Sequence, residues 1–180
     1  MNIILACDSE YGIGINNNLP SWNLKDDMLR FKKLTIGNGN NFVIMGKNTY
    51  LSLNKKPLPK RINIVVSETL FNELNIFKYV PFEGFYIFKN INEAFEYAEF
   101  NSSFVNNDNN SKIWIIGGAQ LYESCIRDYK INSMYLTKID KNFNCDVYLG
   151  EKTKKFIKNC KWKSIETNQK NKLTYTFMNT

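Results

Sequence analysis

One carboxylate, Asp27, stands out because of the residue types around it. A helix is predicted from residue 24 to about 36, after a loop that contains Pro20 and Trp22, since apolar residues recur there at helical spacing. These apolar residues are Leu24, Met28, Phe31 and Leu34. Asp27 falls on the same face of the helix, so its side chain is expected to point to the core, where a carboxylate is costly without a partner. The chain contains no His, and we expect no basic residue beside Asp27 on this face.

Two interpretations of Asp27 are open at this point. It could be a core carboxylate that is hydrogen-bonded to a backbone amide or a hydroxyl, or it could face a ligand that brings the pairing group. Thr137, inside an alternating strand, is one candidate partner. The neighbouring polar residues have ordinary interpretations: Asn23 as the N-cap of the helix, and Asp26 with Arg30, four residues apart, as a solvated surface pair.

Two junctions of strand, glycine and helix suggest phosphate binding. The first is at Gly46, with Lys47 and Thr49 directly after it, and the second is at Gly117–Gly118. A helix N-terminus offers free amides and positive dipole density, and glycine lets a phosphate approach the backbone. Two such junctions in one sheet fit a ligand with two phosphate regions, although tight structural turns are the alternative. The standard dinucleotide and triphosphate motifs are absent.

The order of predicted elements indicates one α/β domain over residues 1–180. Strands are predicted over residues 3–7, 42–45, 61–67, 85–88, 112–116, 133–139, 163–167 and 173–178. Helices are predicted over residues 24–36, 47–53, 91–100 and 119–126. Loops are predicted over residues 8–20, 101–111 and 168–171, of which the second is an Asn-rich surface insertion and the third a hairpin turn. This alternation predicts a mixed, mostly parallel central sheet with flanking helices and a C-terminal antiparallel hairpin.

Composition favours a cytoplasmic protein. Four Cys at positions 7, 125, 145 and 160 form no close pair, which fits a reducing compartment and neither a zinc site nor a disulfide framework. The apolar run at residues 1–8 is too short for a signal peptide, and no stretch reaches transmembrane length. The net charge of +7 is attributed first to compositional bias and second to capture of small anionic ligands. Nucleic acid is the third choice, because the Lys are scattered without interleaved aromatic residues.

Five segments together resemble the dihydrofolate reductase family in order and rough spacing. They cover residues 19–27, 43–50, 57–63, 115–122 and 135–140, and the resemblance runs on to Tyr175–Phe177, with a break only at the Asn-rich insertion. It implies NADPH-dependent reduction of 7,8-dihydrofolate to 5,6,7,8-tetrahydrofolate, with hydride transfer to C6 and protonation at N5, in support of one-carbon metabolism and thymidylate synthesis. It also implies inhibition by antifolates and a monomer with no metal, nucleic-acid or membrane partner.

The resemblance also assigns residues by matching position. The catalytic set is Asp27, which binds the pteridine ring, Trp22, which orders a water near it, and Thr137, which bonds the acid. The substrate-binding set is Ile4, Ala6, Asp27, Met28, Phe31, Lys32, Ser52, Leu53, Leu58, Arg61, Ile116, Tyr122 and Thr137. The cofactor-binding set is Ala6, Ile13, Gly14, Leu19, Gly46, Lys47, Asn48, Thr49, Val66, Ser67, Lys89, Ile116, Gly117, Gly118, Ala119, Gln120, Leu121 and Tyr122. The loop 8–20 is expected to be a mobile lid, and the Gly117–Gly118 bond is expected to be cis.

Several residues depart from the family pattern, and two other functions are alternatives. Asn48, Glu68 and Gln120 stand where many relatives carry a basic or neutral group, and an acid near the 2′-phosphate would weaken the preference for NADPH over NADH. Val147–Leu149 after Asp146 is also unusual, which brings lid control through that loop into question. One alternative is a reductase of the same fold that acts on a ribosylated pyrimidine in flavin synthesis, and another is a non-catalytic nucleotide or nucleic-acid binder. Asp27 together with Arg61 favours folate.

Overall fold

A single large sheet organises the chain. The structure is a computed structural model that describes residues 1–74, 77, 79–105, 111–170 and 172–180, with only the backbone described for residues 103–105. Within these residues the strands are β1 Asn2–Cys7, β2 Gly12–Gly14, β3 Asn41–Gly46, β4 Arg61–Val66, β5 Phe85–Phe88, β6 Ile113–Ile115, β7 Ser133–Ile139, β8 Val147–Tyr148, β9 Ser164–Lys170 and β10 Leu173–Asn179. The helices are α1 Lys25–Ile36, α2 Lys47–Ser52, α3 Glu68–Glu73, α4 Ile91–Val105, α5 Ala119–Asp128 and α6 Glu151–Asn159.

The sheet has the predicted mixed character. Its order is β5-β4-β3-β6-β1-β7-β10-β9. The first six strands of this order pair in parallel, and β7-β10 and β10-β9 pair antiparallel. The predicted fold class is therefore confirmed, including the C-terminal hairpin. Because all six parallel strands run the same way, β1, β3 and β6 end at the same edge, which is where parallel α/β sheets bind ligands.

Alternation along the central strands divides the core into two layers. On β1, Ile3 and Leu5 pack into one cluster and Ile4 packs into the other. On β3, Phe42 and Ile44 likewise belong to the first cluster and Val43 and Met45 to the second. Successive strand side chains point to opposite faces, so the sheet is buried on both sides. Helix α5 contributes Leu121, Tyr122 and Cys125 as its buried stripe.

The start of α1 differs from the predicted one. Leu24 occupies the N-cap position, and no side chain caps the helix there. Asn23 has φ +48°, and its side-chain amide donates to the Ser21 carbonyl. An N-cap residue needs extended backbone, so this left-handed residue ends the preceding turn instead. The Asn23 cap is therefore wrong, although the helix itself is confirmed.

Three predicted loops are shorter than expected. Helix α4 continues through Val105, so the first five residues of the predicted insertion are helical, and residues 106–110 lie outside the described residues. Strand β9 runs to Lys170, which leaves the hairpin turn to the next two residues, of which 171 is not described. The loop 8–20 contains β2, which pairs with β8. Helices α3 and α6 were not predicted.

Among the described residues, no helix is both long and apolar enough to cross a membrane.

Candidate active site

A cavity of about 960 Å³ opens along the edge where β1, β3 and β6 end. This volume is at the upper end of the range for small-molecule sites. Its walls come from β1, the loop 8–20, α1, and the two glycine junctions that lead into α2 and α5. The three strand ends and both helix starts therefore face one space.

Most of the predicted site residues line the cavity, although they come from many separate segments of the chain. The predicted residues that line it are Ile4, Ala6, Ile13, Gly14, Leu19, Trp22, Asp27, Met28, Phe31, Gly46, Lys47, Asn48, Thr49, Ser52, Leu53, Leu58, Val66, Ser67, Lys89, Ile116, Gly117, Gly118, Ala119, Gln120, Leu121 and Tyr122. Lys32, Arg61 and Thr137 are not among the lining residues. Thr137 is 1% exposed and lies behind Asp27, whereas Lys32 is exposed.

Asp27 lies on the cavity wall with one hydrogen-bonded partner. Thr137 Oγ1 donates to Asp27 Oδ1 at 2.6 Å, and within the described part of the chain this is the hydrogen bond that the carboxylate receives. Burial raises the pKa of Asp27, while the Thr137 hydrogen bond and the Arg30 charge act to lower it. A carboxylate in apolar surroundings with so few donors is a perturbed group of the kind that marks functional sites.

Arg30 corrects two sequence-based expectations. It does not pair with Asp26, whose carboxylate accepts instead from Lys170 Nζ at 2.9 Å and from the Tyr175 hydroxyl at 2.8 Å. Nor is the Asp27 face free of basic residues, because Arg30 turns inward and donates to Thr137 Oγ1 at 3.2 Å. Residues three apart on a helix are neighbours, so Arg30 shares the face of Asp27. The guanidinium is drawn in by strand carbonyls and by the Phe177 ring, 4.6 Å away.

Trp22 forms the floor beside Asp27. It is 7% exposed, lines the cavity and packs with Leu24, Ile139 and Tyr175. Its ring also meets Phe143 edge-on, with the centroids 5.7 Å apart. These contacts fix the position of the indole on the cavity wall.

The two glycine junctions touch each other. Gly46 N donates to Gly117 O at 2.8 Å, and the Gly117–Gly118 peptide bond is cis, as expected. Gly117 has φ +114°, a conformation that other residues rarely adopt, and a Cβ there would lie 3.1 Å from the Tyr122 hydroxyl. That hydroxyl is buried and donates to Ile4 O at 2.9 Å. Gly118 precedes α5 without a side-chain cap, so the first amides of α5 face the cavity unblocked.

Comparison with known proteins agrees with this geometry. The family model for dihydrofolate reductase matches residues 1–180. The chain is 34% identical over 178 residues to the dihydrofolate reductase of Buchnera aphidicola, which covers 98% of this chain and 96% of that protein. It is 33% identical to the dihydrofolate reductase of Drosophila melanogaster over 82% of this chain and 77% of that one.

The chain belongs to the dihydrofolate reductase family. It is also 34% identical over 150 residues to a bifunctional dihydrofolate reductase-thymidylate synthase of Paramecium tetraurelia, where the match covers 83% of this chain and only 28% of the relative. The similarity to that longer protein is therefore confined to a part of it.

In this dihydrofolate reductase domain, Arg61 lies at the rim of the cavity and is fixed by two hydrogen bonds to the protein. Its Nε donates to Pro59 O at 3.1 Å, and its Nη1 donates to Thr35 Oγ1 at 2.8 Å. The guanidinium carbon lies 5.8 Å from the ring centroid of Phe31, which lines the cavity. Arg61 is thus next to the cavity although it is not part of its wall, and burial lowers its pKa.

The opposite end of the cavity, beyond α2, combines cations with acids. Lys47 Nζ is 4.0 Å from Glu73, and Lys89 Nζ is 5.1 Å from the Phe71 ring centroid. Ser67 caps α3 by accepting from Leu70 N at 3.2 Å. Glu68 also lines this end, so its negative charge stays beside the two Lys, as the sequence suggested.

The loop 8–20, which is expected to be a mobile lid, is tied to the segment that contains Asp146. Asn16 N donates to Asp146 Oδ2 at 2.8 Å, and Asp146 N donates to Gly14 O at 3.1 Å. These bonds extend the β2-β8 pairing despite the unusual residues 147–149. The two segments are therefore in contact, and lid control through this loop stays a prediction.

The sequence analysis did not identify Asp8, which lies at the start of the loop 8–20. Asp8 is fully buried, and its carboxylate accepts from the amides of Gly12 at 2.7 Å, Glu10 at 2.9 Å and Phe143 at 3.0 Å. The position directly after a buried strand and before two glycines was the available signal. The lining residues Val147 and Tyr148 were also missed, since a two-residue strand has no periodicity to detect.

Proposed function

We propose that this chain reduces 7,8-dihydrofolate to 5,6,7,8-tetrahydrofolate with NADPH as the hydride donor. The observation that carries the proposal is the Asp27 carboxylate, which faces a largely apolar cavity and receives one hydroxyl donor from the described protein. A pterin presents a ring N–H and a 2-amino group side by side, and two parallel donors match a carboxylate. The missing donors are thus those of the substrate. The product would serve one-carbon metabolism, including thymidylate synthesis.

In this mechanism the protein chiefly orients the pterin and keeps water out. Asp27 holds the ring and favours its protonation at N5, and Thr137 fixes the carboxylate. Trp22 orders a water beside the acid. Ile4, Phe31 and Ile116 contribute apolar wall, which excludes other water and strengthens the carboxylate–pterin interaction. The substrate-binding residues on this side of the cavity are those assigned from the sequence.

The other side of the cavity suits NADPH. Gly46, Gly117 and Gly118 present backbone without side chains, and a Cβ on Gly118 would enter the space beside Thr49 Oγ1, 3.7 Å away. The uncapped start of α5 adds free amides for a pyrophosphate. When bound, NADPH supplies the hydride that adds to C6 of the pterin. Gly117, Gly118 and the α5 residues Ala119–Tyr122 would hold it.

The charges beyond α2 favour the phosphorylated cofactor. Lys47, Lys89 and the Ser67 hydroxyl lie on the cavity wall and would bind the 2′-phosphate. Glu68, on the same wall, opposes them. We therefore infer a preference for NADPH over NADH that is weaker than the two Lys and the Ser67 hydroxyl would give without the nearby acid.

The rim residues would bind the glutamate tail of the substrate. Arg61 is held by Pro59 O and Thr35 Oγ1 through Nε and Nη1, which leaves Nη2 for a carboxylate. Lys32 is exposed on α1, which also carries Asp27 and Phe31, and would add positive charge near the tail.

We also infer that one copy of the chain is sufficient and that it works in the cytoplasm. A single chain supplies all the residues of the proposed site. The four cysteines are free thiols, which suits a reducing compartment.

A spectrophotometric assay tests the proposed function. Purified protein should consume NADPH only when dihydrofolate is present, more slowly consume NADH, and form tetrahydrofolate in equal amount. Asp27→Asn should lose about 100-fold or more of the rate near neutral pH. An Asp27→Asn enzyme with unchanged turnover, or NADPH oxidation that ignores dihydrofolate, would contradict the proposal.

A further inference from the structure

Arg30 contacts the Thr137 hydroxyl, which bonds Asp27, and is not among the described residues that line the cavity. It lies one helical turn after Asp27 on α1 and points between β7 and β10. Its Nη1 donates to Thr137 Oγ1 at 3.2 Å and to Leu136 O at 3.4 Å, and its Nη2 donates to Met178 O at 3.1 Å. Among the described residues no carboxylate is within ion-pair distance of it. The position of Arg30 is therefore not explained by an ion pair with a described carboxylate.

The Arg30 contact determines how the Thr137 hydroxyl is used. A hydroxyl has one proton to donate and can accept through its lone pairs. The guanidinium has no acceptor, so Thr137 Oγ1 must accept from Arg30. Its single proton is then left for Asp27 Oδ1, at 2.6 Å. The chain of donors runs one way, from Arg30 through Thr137 to Asp27, and ends on an acceptor that must be unprotonated at that oxygen.

We propose that Arg30 is a positioning residue that acts through the Thr137 hydroxyl to keep Asp27 ionised and oriented toward the pterin. Neutral donors polarised by a cation strengthen the next hydrogen bond in the chain. The positive charge of Arg30 also favours the carboxylate directly, against the desolvation that opposes it. This proposal extends the proposed function, because it explains how a poorly solvated acid can stay available to a substrate.

Other groups around this pair have their own partners or lie farther away. On α1, Asp26 is bound to Lys170 of β9 and Tyr175 of β10. Glu166 of β9 and Tyr135 of β7 act electrostatically on Arg30. Burial is the main cause that raises the pKa of Tyr122 of α5, and Asp27 is one of the smaller contributors. Within this set Arg30 is the cation that Asp27 responds to.

The test is a pH titration of the Asp27 carboxyl carbon by ¹³C NMR, in ligand-free protein labelled with ¹³C-aspartate. The signal that is absent from the spectrum of Asp27→Asn is assigned to Asp27. Arg30→Gln removes the charge and keeps an N–H donor. It should raise the midpoint by at least about half a pH unit. Arg30→Lys should restore part of the difference. Arg127→Gln is the matched control, since Arg127 pairs with Asp128 at the exposed C-terminal end of α5, and it should leave the midpoint unchanged.

A second titration tests the route through the hydroxyl. In a Thr137→Val background, Arg30→Gln should shift the midpoint by less than half as much as in the parent. No shift in Arg30→Gln, or a full shift in the Thr137→Val background, overturns the inference. Thermal unfolding of each variant establishes that the titrated protein is folded. Because the readout needs no turnover, an inactive protein with the expected shifts would reject the proposed function and leave the role of Arg30 standing.

Discussion

The Asp27 carboxyl has an electrostatic cost that should be visible in stability. Burial raises its pKa, so the folded protein binds this proton more tightly than the unfolded chain does. The stabilising contribution is then complete below the ordinary Asp pKa of about 4 and is lost as the pH rises through the raised folded value. Asp27→Asn should therefore raise the thermal midpoint at pH 7 by about 2–4 °C, the shift that ~1 kcal/mol gives in a domain of this size. Below about pH 4 the difference should vanish.

Asp26 provides a control of opposite sign in the same helix turn. Hydrogen bonds from Lys170 and Tyr175 lower its pKa, so its contribution to stability is present above the ordinary value and lost as the pH falls. Asp26→Asn should lower the midpoint at pH 7. Equal effects of the two substitutions would contradict the different environments described for the two carboxylates. Calorimetry across pH 3–8 makes the comparison.

Arg61, at the rim of the cavity, is expected to bind the glutamate tail of the substrate without taking part in the hydride transfer. Arg61→Met should raise the KM for dihydrofolate by about 10-fold, the scale of one lost charge-assisted hydrogen bond, with kcat nearly unchanged. A dihydropterin without the glutamate tail should be reduced equally by parent and variant. Lys60→Met, one residue away and exposed, is the matched control. Loss of activity on the tailless substrate would show that Arg61 acts on the pterin ring instead.

At the scale of secondary-structure elements, the sequence predicts those helices and strands that have a clear hydrophobic periodicity or a clear end. Strand β5 has its predicted bounds because β-branched and aromatic residues are enclosed by polar turns. Helices α2 and α3 both have six residues, too few for a periodic pattern, and α2 was predicted only because Gly46 marks its start, a signal that α3 lacks. Helix α4 was cut short because Asn and Ser are poor helix formers that the tertiary fold nevertheless holds in the helix.

The same limit explains the two misplaced partners in the site. The spacing of Asp26 and Arg30 suggested a pair on one helix. The hairpin instead brings Lys170 to Asp26, 144 residues along the chain, and β7 brings Thr137 to Arg30. Helical spacing states which residues share a face and contains no information on which distant strand covers it. Asp27 could be singled out because its apolar neighbours are local.

At the same scale, the loop 8–20, which is expected to be a mobile lid, is tied to the segment that contains Asp146. Its carboxylate accepts from Asn16 N at 2.8 Å, next to the β2-β8 pairing. Asp146→Ala should lower kcat/KM for NADPH by about 3–10-fold, as expected from the loss of a hydrogen bond of roughly 1 kcal/mol. Asp140→Ala, an exposed acid at the end of β7, is the matched control. If both substitutions had the same effect, charge rather than lid closure would be responsible.

At the scale of the whole molecule, the charge of +7 should act on the rate of ligand capture. NADPH and dihydrofolate are anionic, and an excess positive field accelerates their approach. The association rate constant for NADPH should fall severalfold between about 20 mM and 500 mM salt, where the screening length shortens well below 10 Å. Stopped-flow fluorescence measures it. An association rate independent of salt would indicate that the excess Lys are compositional bias alone.

The central claim is that the pterin carries the partner of Asp27, and inhibitor affinity tests it most directly. A 2,4-diaminopteridine antifolate presents a protonated ring, so the parent should bind it tightly. Asp27→Asn should weaken the affinity by about 100-fold or more, since breaking a buried hydrogen-bonded charge pair costs about 2–5 kcal/mol. Asp26→Asn should bind within about threefold of the parent, because a surface pair contributes little. Equal affinities of the parent and Asp27→Asn in calorimetric titration would contradict the account.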